Sequence, residues 1–598
     1  MALLMASGAH ALEPARAPLT SQTAQPVVAL RALLLVSQDP SSPATPTTVS
    51  AAPSAAPREI CRPSAPELQT PSTPVNVQQL RADLARATPD MPAGQRVVSA
   101  LPEWLVSMDA VRPTLAVRIG SPISGELTQA IVADLVTQLN KDGRFLVDVY
   151  LPEQTSRDGV LVVVVRPALL GKVTAQGQKF YNGADIACRV RAPAGKPVDL
   201  QLLAGDLAQL NTNSGWRHTD APQFTPGEVP GTTDLTLTTH DEKPLRFFFG
   251  ADNTGGRATG QGRYRAGVNI GNFLGRFDHQ FDYTLTTSDK YSAFNEHSFA
   301  YMVPLEDRQR LTARLDLSHS DVLLHDGAFR SQGSNQIASL EWTRPQLVVP
   351  SWLNWGQTMA SEASYGVEYK RIGNSLQFNQ TVLSDQRPVV LQGYGAWRGA
   401  WQNTWGSNQV YTRLTVSPGD LVGGNDKETF NAVRAGANPA YWRLNASYNG
   451  QVELPAQWSM GLRVDGQVAR KPLLPSERMT LSGWGGVRGY YSDTLSADAG
   501  VTASLEVLSP RQRLDIAGQT GNWYVVGFLD AGRSWNATSE FNADLNTTAK
   551  QFNLVSHGVG VRYETSNHSH FRLDVARRHF GMESERKWLW HGSWQVAF

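Results

Sequence analysis

The last eleven residues read Trp588-Leu589-Trp590-His591-Gly592-Ser593-Trp594-Gln595-Val596-Ala597-Phe598. Trp588, Trp590, Trp594, Val596 and Phe598 fall on one side of an extended chain, with Gly592 between them, because successive side chains of a strand point to opposite faces. Such a strand buries one face in something apolar and turns the other to something polar. The same period of two recurs upstream. Tyr264, Ala266, Val268 and Ile270 alternate with Arg263, Arg265, Gly267 and Asn269. Phe277, His279, Phe281, Tyr283 and Leu285 oppose Asp278, Gln280, Asp282 and Thr284, and Leu311, Ala313, Leu315 and Leu317 oppose Thr312, Arg314, Asp316 and Ser318. Turn signals such as Asp252-Asn253-Thr254-Gly255-Gly256 separate the runs.

A long series of alternating strands with abundant aromatics predicts a transmembrane β-barrel over residues 244–598, apolar side chains on lipid and polar ones such as Arg263, Arg265 and Asn269 in the lumen. An open sheet edge in lipid leaves peptide groups without partners, so the last strand must pair with the first. No run of about 18 apolar residues exists, which excludes a spanning helix. Lys plus Arg (54) balance Asp plus Glu (53), so the chain carries no electrostatic footprint for nucleic acid. Cys61 and Cys188 are too few for a disulfide framework and too distant for a zinc knuckle; whether they pair stays open.

Before the barrel the texture changes. Residues 1–11 end in Ala9-His10-Ala11 and read as the remnant of a signal peptide without its basic start. Val27 to Val36 is a second apolar patch, interrupted by Arg31. Residues 12–96 are dominated by Pro, Ser, Ala and Thr and read as a disordered linker, with a short helix at 76–88, whose Leu80 and Leu84 share a side, as a candidate plug of the barrel. From 97 to 167 a small α+β module is expected. Its strands are Thr114 to Ile119, Phe145 to Leu151 and Val160 to Val165, and its helix is Glu126 to Asn140 with Leu127, Ile131, Leu135 and Leu139 at helical spacing. A second module, 168–243, opens at Gly171-Lys172-Val173-Thr174-Ala175, carries Leu200, Leu203, Leu207 and Leu210 on a helix and closes with Thr233 to Thr239.

These modules carry a family resemblance. Gly143-Arg144-Phe145 leading to Leu151-Pro152-Glu153-Gln154 and Asp158-Gly159-Val160-Leu161 resembles the end of the first polypeptide-transport-associated (POTRA) domain of two-partner secretion (TpsB, type Vb) transporters of the hemolysin secretion/activation family. Phe224 to Leu235, with its Pro-Gly and Gly-x-x-Asp-Leu, is similar to the entry into that family's second POTRA domain's last strand. The first module differs in showing one clear helix where the family has two. In the barrel, Gly483-Trp484-Gly485-Gly486-Val487-Arg488-Gly489-Tyr490 resembles the Val-Arg-Gly-Tyr loop that folds back into the lumen, and Phe528-Leu529-Asp530-Ala531-Gly532 its partner motif on the wall. If Trp523, Val525 and Leu529 face lipid, parity sends Tyr524, Phe528 and Asp530 inward, where Asp530 can meet Arg488. The terminal Trp594, Val596 and Phe598 resemble the signal by which such barrels are recognised for assembly.

The fold class implied is mainly β: a 16-stranded antiparallel barrel, about 22 residues per strand and connection, preceded by two POTRA domains and a disordered N-terminal segment. The function implied is an outer-membrane translocator. POTRA domains in the periplasm recognise an unfolded secreted partner (TpsA, such as a hemolysin or filamentous adhesin), and the barrel conducts it outward without ATP. Partners implied are that exoprotein, outer-membrane lipid, the barrel assembly machinery and periplasmic chaperones. An insertase of the same superfamily and a passive porin are the alternatives. No Gly-x-Ser-x-Gly, Walker or His-Glu-x-x-His motif is present, and no cofactor or metal is expected; the His568-Ser569-His570 spacing reads as a solvated loop.

Overall fold

The computed structural model describes residues 28–37, 77–101, 105–141, 146–212, 215–228, 232–324, 328–346, 360–516, 519–565, 569–580 and 587–598. The signal-peptide reading, most of the linker, Gly143-Arg144-Phe145, Val229 to Gly231, His568 and Cys61 lie outside them. Cys188, which follows a short helix at Gly183–Ala187, is disulfide-bonded. Two compact units form: residues 1–174 with 190–204 and 222–236, and residues 175–189 with 205–221 and 237–598.

The first unit is built on a strand the composition obscured. β1 (Ala32–Val36) is buried along its whole length. It lies between β2 (Val97–Ser99) and β4 (Val160–Pro167), parallel to both, and β3 (Val147–Tyr150) completes the sheet antiparallel to β4. Period two assigns the two faces. Leu33, Leu35, Leu161, Val163 and Val165 pack on α2 (Met108–Ala116) and α3 (Gly125–Lys141) through Val111, Leu115, Ile131 and Leu135. Ala32, Leu34, Val36, Val162 and Val164 pack on α1 (Val77–Ala87) through Val77 and Leu84.

Three expectations are corrected here. Within the patch at Val27 to Val36, Ala32–Val36 is an inner strand of the sheet and not linker; covered on both faces, it reads as an unbroken apolar run without alternation. The helix at 76–88 is a structural layer of this module and no plug, held also by the ion pair of Arg81 with Asp158 at 3.0 Å. Thr114 to Ile119 is not a strand. Its first half ends α2, where Leu115 and Val111 one turn earlier form the buried stripe, while Val117 is exposed. Over six residues Leu115, Val117 and Ile119 fit period two as well as part of a helical face, and the packing of Val111 decides.

In the second module β5 (Leu169–Gln176), β6 (Arg217–Thr219), β7 (Gln223–Pro226) and β8 (Thr232–Asp241) form a sheet in which β8 pairs with the other three. The helix Leu200–Thr212 buries Leu203 and Leu210. The Asp234 carboxylate accepts the Lys172 N–H at 2.7 Å, which gives the Asp of the Gly-x-x-Asp-Leu run a structural task.

From Leu245 to Ala597 the chain forms a closed antiparallel barrel of 16 strands. Two strands are interrupted, one between Gln386 and Val389 and one between Leu508 and Gln512. Pro388 and Pro510 stand at the breaks, where a residue without an N–H cannot continue the ladder. Closure runs from Ser593 opposite Asp252 to Ala597 opposite Phe248, and Phe247 and Phe598 then exchange both backbone hydrogen bonds at 2.9 and 3.0 Å. The outward side chains are large and apolar: Phe249, Tyr264, Trp590 and Trp594 are each about half exposed, an arrangement that only lipid stabilises. The inward partners are polar. Arg265 pairs with Asp252 at 2.6 Å, Asn269 donates to Asp282 at 2.6 Å, and Arg263 donates to the carbonyls of Gly260 and Gly262.

Candidate functional site

A long connection, residues 470–498, leaves strand Ser459–Ala469 and re-enters the wall at Ala499. Its side chains bond to inward residues of strands on opposite sides of the barrel, so it runs across the lumen. Near its start Glu477 is 1% exposed and meets Lys370 at 2.9 Å and Arg443 at 3.1 Å, cations from strands Ala360–Phe378 and Tyr441–Glu453. Gln392 adds a donor at 3.3 Å. Beside it Arg478 reaches Glu540 at 2.7 Å. The connection is thus fastened to the wall before its tip is reached.

The tip holds the arginine. Arg488 is 2% exposed, and its guanidinium spends every edge on the wall. Nε and Nη2 donate to the two carboxylate oxygens of Asp530 at 2.7 and 2.8 Å, a side-on bidentate pair. The Arg488 backbone N–H donates to Asp530 as well, at 3.1 Å. Nη1 meets Glu506 at 2.6 Å and Asp574 at 3.4 Å. Ser504 Oγ accepts from Nη2 at 2.9 Å and donates to Asp530 at 2.7 Å. The face of the guanidinium lies 3.5 Å from the centre of the Phe528 ring, in cation–π contact.

The charges around it are balanced. Asp574 also accepts Arg562 at 2.6 Å and Arg572 at 2.8 Å, so three guanidiniums face the three carboxylates of Glu506, Asp530 and Asp574. Buried carboxylates tolerate the low dielectric only with such partners. Trp484 lies under Arg572 at 4.2 Å, and the Gly489 N–H donates to His591 of the last strand at 3.2 Å. Tyr490, fully buried, donates to the Val555 carbonyl and accepts the Phe580 N–H, each at 3.2 Å.

Two glycines make the approach possible. Gly489 has φ of +87°, a left-handed backbone that favours glycine. Gly532 lies on the wall beneath the loop, and a Cβ there would come within 2.9 Å of the Val487 methyl. The Phe-x-Asp-x-Gly spacing therefore has a physical content: Phe528 stacks, Asp530 pairs and Gly532 leaves room, all on the inward parity of one strand.

Among the motif residues, Arg488 is brought onto Phe528 and Asp530 and Val487 onto Gly532, whereas Gly489 meets His591 and Tyr490 meets Val555 and Phe580. Trp594, Val596 and Phe598 sit apart from this centre, on the outer face of the closing strand, where Phe598 packs on Phe249 with ring centres 6.0 Å apart. Glu506, Asp574, Arg562, Arg572, His591 and the Glu477 cluster went unnoticed in the sequence. Glu506, Arg562, Arg572 and Asp574 carry the same signal, a polar side chain flanked by outward apolar ones, as in Leu505-Glu506-Val507 and Leu573-Asp574-Val575. Many other lumen residues share that signal.

Between the loop and the wall lies a cavity of about 350 Å³ lined by Ser407, Gln409, Gln451, Ser504, Glu506 and Arg488. It is the size of a small-molecule pocket. An extended chain crossing an apolar band of about 25 Å needs about eight residues in transit at once. The loop, pinned to the wall at Arg488, lies across part of that path.

Residues 231–563 match the family model described as haemolysin secretion/activation protein ShlB/FhaC/HecB. The heme/hemopexin transporter protein HuxB of Haemophilus influenzae is 22% identical over 46% of this chain and 47% of its own, so the chain spans about half the length of that curated relative. The hemolysin transporter protein ShlB of Serratia marcescens is 24% identical over 71% of this chain and 74% of its own. Among solved structures, CdiB from Escherichia coli shares the fold with a TM-score of 0.63 at 17% identity, over 87% of this chain and 96% of that one.

Proposed function

Since the chain belongs to the haemolysin secretion/activation family ShlB/FhaC/HecB, whose members are outer-membrane transporters for secreted partner proteins, we propose that it exports an unfolded partner protein through its barrel. The POTRA-like modules lie on the periplasmic side and supply the recognition. An exposed sheet edge there can take up an extended segment by main-chain hydrogen bonds, with pockets for alternate side chains reading its sequence. The barrel then conducts the segment outward. No nucleotide enters this scheme, and folding of the passenger outside the cell draws the chain through.

The observation that carries the reading is the arginine at the loop tip. A loop that crosses the lumen and is locked to the wall by an Arg488–Asp530 pair blocks a passive channel, yet its fastening is made of polar contacts that water or a passing polypeptide can replace. A buried ion pair of this kind contributes conformational specificity more than net stability, because desolvation offsets much of its attraction. Export therefore requires the loop to have two positions, of which this is the closed one. The test is Arg488→Ala in a strain that also expresses the secreted partner. The barrel should still assemble, shown by its heat-modifiable mobility, and the partner should be absent from the medium; normal secretion by an assembled variant would refute the role. The same strain with wild-type protein and a foreign unfolded periplasmic protein should export nothing, as an unselective porin would not predict.

A further inference from the structure

The outer wall of the last four strands carries two arginines set against tryptophans. Register places Leu529, His557, Arg577 and Trp588 side by side on one outward row. Their neighbours confirm the face: Val559, Val575 and Leu529 are exposed, while Asp530, Ser556 and Asp574 on the opposite parity are fully buried. Arg577 lies 6.0 Å from the Trp588 ring, and His557 meets that ring edge-on at 6.5 Å. His579, next on the same face, bonds to His557 at 2.8 Å through Nε2 and Nδ1. Further along the wall Arg533 lies over Trp535 at 5.6 Å.

The level of this patch in the membrane follows from the closing strand. Phe598 and Trp588 are ten residues apart on one face, about 33 Å of extended chain, which a tilt of about 40° projects onto about 25 Å. That is the height of the apolar band of an outer-membrane barrel. With Phe598 at the periplasmic edge, Trp588 stands at the outward edge, and the Arg577 and His557 side chains against it stand among the headgroups of the outer leaflet. No Asp or Glu occupies an outward position in 529–535, 551–559, 575–579 or 588–590. Among the described residues of these strands, nothing on the outward face supplies these arginines a counter-charge.

We propose that Arg577, Arg533 and the His557–His579 pair form a binding site for the phosphate groups of an anionic glycolipid in the outer leaflet. Arginine presents paired N–H donors that match a phosphate, the histidine pair adds a ring N–H donor, and Trp535 and Trp588 offer flat apolar surface to the sugar and the upper acyl chains. The site lies on the outside of the strands that carry Asp530, Asp574 and His591 inside, so a bound lipid braces the part of the wall on which the loop rests.

The test uses the full-length protein reconstituted in phosphatidylcholine vesicles containing a few per cent of bisphosphorylated lipid A, followed by detergent extraction and native mass spectrometry of the retained lipid. Wild type should retain lipid A, and Arg577→Gln and Arg533→Gln should each reduce retention about fivefold. Arg577→Lys should recover part of it. Dephosphorylated lipid A should not be retained. Equal retention of the phosphorylated and dephosphorylated forms, or equal retention by wild type and the glutamine variants, would overturn the site; displacement by millimolar inorganic phosphate would reassign it to free anions. Heat-modifiable mobility of every variant establishes that the barrel is folded.

Discussion

Arg488 joins three carboxylates that come from three different strands, and a lysine cannot do the same. Its single ammonium cannot give Asp530 two parallel N–H donors while reaching Glu506 and lying flat on Phe528. Arg488→Lys should therefore behave like Arg488→Ala in secretion, although it keeps the charge. Loss of the guanidinium leaves Asp530 buried without its main cation, a change that costs about 3–5 kcal/mol where a buried pair is broken from one side. Gly532→Val is a steric test of the same contact. A side chain there meets the Val487 methyl at 2.9 Å from its first atom, so the loop must lift. Secretion should fall several-fold, and the loop should become accessible to an added protease in whole cells while the barrel resists it. At this scale Asp530 was legible in the sequence, because parity within one strand needs only local information. Glu506 and Asp574 were not: nothing local separates them from the other inward polar residues, although Glu506 stands on the strand that the loop enters.

For the elements, the first module offers the sharpest test. β1 is apolar on both faces because α1 covers one and α2 with α3 the other. Leu34→Asp places an uncompensated carboxylate between β1 and α1 and should unfold the module, abolishing secretion while leaving a heat-modifiable barrel. Leu84→Ala on α1 should cost about 2–4 kcal/mol in the same module, read as a lower midpoint in urea for the module's unfolding. A plug helix predicts no such loss. The sequence concealed β1 because a strand buried on both faces has no period, and because a proline-rich stretch separates it from its sheet partners. At the end of β8, Asp241 closes a turn by accepting the N–H groups of Lys179, Phe180 and Tyr181 at 2.7–2.9 Å. Partial burial raises its pKa, but these three donors outweigh that and hold the carboxyl below the usual carboxylate range. Its contribution is therefore complete above the unfolded-state value near 3.8 and is lost as pH falls through the lower folded-state value. Asp241→Asn should flatten this acid limb, measured as hydrogen exchange at residues 179–181 between pH 5 and 2.5; an unchanged profile would show that the turn stands without the charge.

Across the whole molecule, the loop is a strap fastened near its start and at its tip. One end is held by Glu477 among Lys370, Arg443 and Gln392, and the tip by Arg488. Glu477→Ala leaves Arg443 without its carboxylate and Lys370 with Glu368 alone, at 3.4 Å, on the side of the barrel opposite the tip. The strap should loosen at one end only, giving flickering conductance in planar bilayers with secretion reduced, whereas Arg488→Ala should give longer openings. Identical conductance traces from wild type and Glu477→Ala would show that the tip alone closes the lumen. The same strand set that takes the tip also carries the closing seam, where Ser593 to Ala597 pair with Asp252 to Phe248.

The sequence by itself determined the barrel, its closure and the inward placing of Asp530, because these rest on period two and on the need to satisfy every peptide group in lipid. Alternation is written locally, and lipid permits no other reading of it. Only the tertiary structure decided that Ala32–Val36 is an inner strand, that Val77–Ala87 is a layer of the first module, and that Glu506, Asp574 and Glu477 belong to the loop's fastening. Those assignments depend on which faces are covered and which distant strands meet, and neither is a property of any stretch of chain taken alone.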